Sequence, residues 1–201
     1  MGKGRLEAFS DGVIAVIITI MVLELKAPHG TDLTALAALA PALLTYVLSF
    51  VFIGIYWNNH HHMLHAAQHI DGRVLWANLH LLFWLSLVPF TTGWVGEYPA
   101  AAIPTALYGG VFLMAGVAWL LLQHALVRRN GADSLLARAV GRDLKGKLSA
   151  LLYASAILLA FVKTWMADAL YVLVALIWFV PDRRIERSID PIRDTGSHAT
   201  P

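Results

Sequence analysis

Apolar positions in this chain run in long blocks instead of alternating, and six blocks stand out, at residues 6–25, 33–57, 74–95, 101–127, 148–162 and 165–180. Roughly 20 apolar residues in an α-helix cross about 30 Å of hydrocarbon, so each block predicts a membrane-spanning helix. The last two are short and are parted only by Lys163-Thr164, which predicts a tight turn between antiparallel helices. A single merged span would be too long for the bilayer without extreme tilt. No small-residue cleavage site follows the first block, which is read as a retained helix.

Composition points the same way, with 58% hydrophobic and 14% charged residues against about 45–50% and about 25% in soluble domains. Mean hydropathy is +0.64. The excess of cations behind the net charge of +2 is arranged by topology. Cytoplasmic loops collect Lys and Arg. With the N-terminus inside, thirteen of the fifteen fall on the inner side and only Lys26 and Lys163 outside. An odd number of spans would put the tail arginines Arg183, Arg184, Arg187 and Arg193 outside. The expectation is therefore an all-α integral membrane protein with six spans and both termini cytoplasmic. Its transmembrane domain is read at 1–181, followed by a polar, proline-punctuated tail at 182–201. Cations spread over loops in this way make no concentrated basic face, so nucleic acid is not an expected partner. The absence of cysteine excludes disulfides, thiolate metal sites and thiol catalysis. Within 128–147, Leu135, Leu136, Val140 and Leu144 are spaced either for a surface-lying amphipathic helix or for a plain solvated connector.

The first helix carries the informative chemistry. Ser10 and Asp11 sit at the edge of an apolar span, and an Asp in a membrane costs about 2.5–3.5 kcal/mol unless protein or water receives it. Asp11 therefore needs a partner, either as a latch between helices or in direct contact with an ion. At 100° per residue, Gly12, Val16, Thr19, Ile20 and Leu23 fall on one stripe, and Asp11 points away from it. Such a stripe suits ordinary helix packing as well as a pore lining, and periodicity alone does not separate the two.

The segment RLEAFSDGVIAVIITIMVLEL resembles the Arg-x-x-x-Phe-Ser-Asp signature of the lysosomal potassium channel family, transmembrane protein 175, and its prokaryotic relatives, with Arg5, Phe9, Ser10 and Asp11 in the signature positions. Trp57 and His60-His61 resemble the family's Trp-x-x-His-His pattern, and Asn78 followed by Pro89-Phe90 is similar to its third span. The resemblance is strong through about residue 95. It implies a single-repeat prokaryotic form, assembling as a homotetramer around a central pore lined by the first helix. Potassium and other monovalent cations would pass with modest selectivity, in the plasma membrane. The family's apolar constriction maps onto Val16, Ile20 and Leu23, with Thr19 at the adjoining hydroxyl layer. Val16 is smaller than the family's commoner isoleucine or leucine, which moves the expected gate to Ile20 or Leu23. Arg5, Ser10 and Asp11 then form the packing side, against Trp57, His60 and Asn78.

Other readings are weaker. Thr91-Thr92-Gly93-Trp94-Val95-Gly96 looks like a carbonyl filter, but no re-entrant pore helix precedes it. His60, His61, His62, His65 and His69 suggest a metal enzyme, yet a catalytic site of that kind needs further ligand sets and paired carboxylates. No cofactor, metal or enzymatic activity is expected. A secondary, proton-coupled transporter is the alternative function. It calls for broken helices and midplane ionisable groups, for which Pro41, Pro89 and Pro104, with Asp11, His80, His124 and Asp168, are the candidates.

Overall fold

In a membrane every backbone polar group must be satisfied within the protein, and the computed structural model meets this with helices. It describes residues 2–131, 134, 137 and 144–179. Leu135, Leu136, Val140 and the tail at 182–201 lie outside those residues.

Helix α1 spans Lys3–Leu23, free of internal proline. A short helix, α2, covers Leu33–Ala38, and Asp32 caps it by accepting from the Ala35 amide at 2.8 Å. That bond holds the Asp32 carboxyl below its usual pKa. Helix α3 (Ala40–Ala66) starts afresh because Pro41 has no amide proton with which to continue α2. The second apolar block is thus two helices, and the second of them runs past Trp57 through the histidines. Backbone hydrogen bonding, not hydropathy, sets where it stops.

Helices α4 (Gly72–Ser86) and α5 (Val88–Glu97) form one kinked 26-residue unit. Pro89 removes the donor to the Leu85 carbonyl, and the chain tightens there through Leu87 N donating to Trp84 O at 3.2 Å. Ser86 and Thr91 hydroxyls take up nearby carbonyls at 2.7 and 3.1 Å. Helix α6 (Ala102–Asn130) carries Pro104 in its first turn, where a missing donor costs nothing, and stays unbroken. It ends at Gly131, whose φ of +94° favours glycine. Helices α7 (Leu144–Ala160) and α8 (Thr164–Phe179) are joined by a turn at 161–163.

Four of these units are long and apolar enough to cross a membrane: α1, α3, α4–α5 and α6. By their rise, α7 and α8 measure about 25 and 24 Å. Helix α6 is the hub, packing on α4, α5, α7 and α8, whereas α1 lies against α3, α4 and α5. The core is aromatic, with Phe52 and Phe112 rings 4.5 Å apart and Tyr108 4.9 Å from Phe112 and 5.3 Å from Tyr171. Tyr171 donates to the Thr105 carbonyl at 2.9 Å. That approach requires Gly109, since a methyl group there would overlap the Tyr171 hydroxyl, while Gly110 beside it faces open space. Gly109→Ala is therefore expected to cost about 1–3 kcal/mol by overpacking. Gly110→Ala should leave the melting temperature of the purified protein essentially unchanged, and equal melting of the two variants would refute the close approach.

The two faces of the first helix as candidate functional site

Helix α1 buries Leu6, Ser10, Ile14, Ile17 and Met21. These recur every three or four residues and so line one side. Ser10 and Asn78 are fully buried and His60 is 1% exposed, which is costly for polar groups unless each finds partners. They find one another. Asn78 Nδ2 donates to Ser10 Oγ at 2.9 Å, and Ser10 Oγ donates to the Leu6 carbonyl at 2.9 Å. Asn78 Oδ1 accepts from His60 Nε2 at 2.7 Å, which places the proton on Nε2 as the bond network assigns it. One amide thus ties α1, α3 and α4 together. Among the described residues no buried side-chain nitrogen or oxygen lacks a partner.

Asp11 belongs to a second, more exposed contact, in which Trp57 Nε1 donates to its Oδ1 at 3.0 Å while Trp57 stays 45% exposed. Trp57 continues a column along α3, its ring stacked on His61 at 6.2 Å and His61 on His65 at 6.2 Å. Lys3 closes the same seam, donating to the His65 carbonyl at 3.0 Å and reaching Glu7 at 3.9 Å. Arg5 and Phe9 are exposed and join neither contact.

The opposite face, with Gly12, Val16, Thr19, Ile20 and Leu23, is exposed along its whole length, and Leu23 is 76% exposed. Thr19 donates to the Val16 carbonyl at 2.9 Å, which settles its proton and leaves its oxygen facing outward as an acceptor. A groove of about 810 Å³ lined by Phe9, Gly12, Val16, Ile20 and the Pro89-Phe90 kink runs beside this face.

Of the remaining candidates, the two histidines outside the α3 cluster are occupied locally. His80 accepts from Trp84 Nε1 at 2.9 Å, and His124 bonds the Leu120 carbonyl at 3.1 Å. Thr92, in the filter-like stretch, lies on helix α5 and donates to Ser49 at 2.7 Å. Among the described residues no three His, Cys, Asp or Glu side chains converge on a metal position. Sequence reasoning missed Asn130, whose amide accepts from Gln68 N and His69 N at 2.8 and 2.9 Å and donates to the His69 and Leu126 carbonyls. It fastens the α3–α4 loop to the end of α6. Only its place beside a terminal glycine hinted at a capping role.

The comparisons with known proteins fit this geometry. Residues 5–89 match the family described as the endosomal/lysosomal potassium channel TMEM175. A potassium channel of Chryseobacterium sp. is 48% identical over 189 residues, covering 94% of this chain and 98% of that protein. One from Streptomyces collinus is 34% identical over 187 residues, covering 87% and 90%. The crystal structure of a lysosomal potassium-selective channel TMEM175 homolog from Chamaesiphon minutus superposes with a TM-score of 0.75 at 29% identity, covering 92% of this chain and 97% of that one. With Ser10 and Asp11 of the signature held in the contacts described and similarity extending over nearly the whole chain, this protein is a member of the TMEM175 family.

Proposed function

We propose that the chain is the subunit of a potassium-permeable cation channel, a homotetramer with six spans per subunit and both termini cytoplasmic in the plasma membrane. The observation that carries this reading is the division of α1. Its polar side is used up in the Ser10–Asn78–His60 and Asp11–Trp57 contacts, so the stripe of Val16, Thr19, Ile20 and Leu23 remains for partners outside the subunit. Fourfold symmetry turns each position into a closed ring. Rings of bulky apolar side chains close a narrow pore by dewetting, and they pass ions when widened. The hydroxyl of Thr19 supplies an oxygen layer within that stripe. Selectivity is modest because side-chain rings, not a carbonyl filter, face the ion. Helices α7 and α8 cross at their shorter length through local thinning of the bilayer and snorkelling of flanking cations such as Lys163.

The test is ion flux from liposomes carrying the purified protein, with an outward potassium gradient compared with an equal sodium gradient. The expected result is passive flux down the gradient, larger for potassium. Flux that saturates and stops without a second, coupled ion would replace the channel with a carrier.

A further inference from the structure

At the end of the bundle opposite the start of α1, a cavity of about 1000 Å³ opens between the end of α1, the 24–39 segment, the start of α3, and α5. Its lining has a particular chemistry. Tyr46, Phe90 and Trp94 supply aromatic rings, the last two 5.8 Å apart. Two carboxylates, Glu24 and Glu97, share the lining with a single ammonium, Lys26, and one imidazole, His29. Lys26 reaches Glu97 only at 3.9 Å with both side chains more than half exposed, a weak and readily exchanged pair. Among the described residues the Glu24 carboxylate has neither an ion pair nor a hydrogen bond. It lies over Gly93, where a methyl group would come within 2.8 Å of Oε2.

We propose that this cavity binds an organic cation with an apolar body, of the tertiary or quaternary alkylammonium class. Each feature answers a part of such a ligand. Aromatic faces attract a cation within about 6 Å of the ring centre, the apolar wall takes its alkyl groups, and Glu24 neutralises its charge. The volume falls at the top of the usual range for small-molecule sites, about 300–1,000 Å³. An inorganic divalent ion is a poor match, because among the described residues no third carboxylate or imidazole joins the two glutamates at one point. The cavity shares Glu24 and Phe90 with the groove beside the conduction stripe but includes none of Val16, Thr19, Ile20 and Leu23, and the proposal extends the reading of this protein beyond permeation.

Tetrabutylammonium titrated calorimetrically into the full-length protein in zwitterionic nanodiscs, with empty nanodiscs as the blank, tests this. Saturable binding of one ion per chain is expected. The Glu24→Gln/Glu97→Gln double variant should weaken it about tenfold, and Trp94→Leu should weaken it as well. Trp165→Leu, a tryptophan exposed on α8 and outside the cavity, should bind as the parent does. Circular dichroism confirms that each variant is folded. Heat no greater than the blank overturns the proposal. So does equal affinity in the double variant, which would make the occupant a neutral apolar group such as a lipid acyl chain. Because the titration reads binding without conduction, protein that conducts but does not bind refutes this site alone, and protein that binds but does not conduct refutes the channel reading alone.

Discussion

Leu23→Ser raises the potassium leak of reconstituted protein by about tenfold or more, and Ile20→Ser does so by a comparable factor. A tenfold rise needs only about 1.4 kcal/mol off the barrier. That is less than the transfer free energy of two methylene groups at about 0.8 kcal/mol each, and the proposed ring loses the apolar surface of four side chains at once. Replacing that surface with hydroxyls favours water in the constriction, and a wet constriction conducts. The effect should follow the stripe. Val22 is also exposed, at 46%, but lies about 100° round the helix from Leu23, so Val22→Ser should leave the leak unchanged. Met21 is fully buried against the bundle, and Met21→Ser should lower stability instead. Currents in planar bilayers distinguish these outcomes. Unaltered leak from serine at 16, 20 and 23 would remove α1 from the pore.

Asn78→Leu lowers the stability of the fold by about 2–4 kcal/mol. Leucine nearly matches the volume, so what is lost is the pair of hydrogen bonds to Ser10 and His60. Both partners stay at 0–1% exposure with nothing to replace the amide. An orphaned buried polar group costs about 1–3 kcal/mol, although membrane hydrogen bonds average toward the low end of such scales. At about 2–4 °C per kcal/mol for a chain of this size, the melting midpoint falls by roughly 5–15 °C. Asp11→Ala should cost less, because Trp57 is 45% exposed and its indole N–H can turn to another acceptor. If the Asp11 variant melts lower than the Asn78 variant in the same detergent, the dry bridge is not the main fastening.

The parts legible in the sequence were those governed by local rules. Apolar blocks became helices because lipid-facing backbone has no other partner. Proline effects followed position: Pro41 restarts a helix and Pro89 kinks one, while Pro104 sits harmlessly in a first turn. Where hydropathy was the only guide the reading fell short. The block from 33 to 57 ended at Trp57, yet α3 runs on to Ala66, since asparagine and histidine interrupt an apolar pattern without interrupting the backbone ladder.

At the site, the stripe of Gly12, Val16, Thr19, Ile20 and Leu23 and the need for a partner at Asp11 are consequences of helical geometry and of the cost of burying charge. The sequence by itself thus determined an all-helical membrane protein, the two faces of its first helix and, through the signature residues, its family. The tertiary structure alone decided that the stripe is the uncovered face. It also decided that Ser10 makes the buried contact and Asp11 the exposed one, that Asn78 joins helices 18 and 68 residues away in the chain, and that Asn130 clamps a loop more than 60 residues upstream. The reason is one of range. Periodicity and propensity act over a few residues, while a buried hydrogen bond is chosen by whichever polar group the packing brings within about 3 Å.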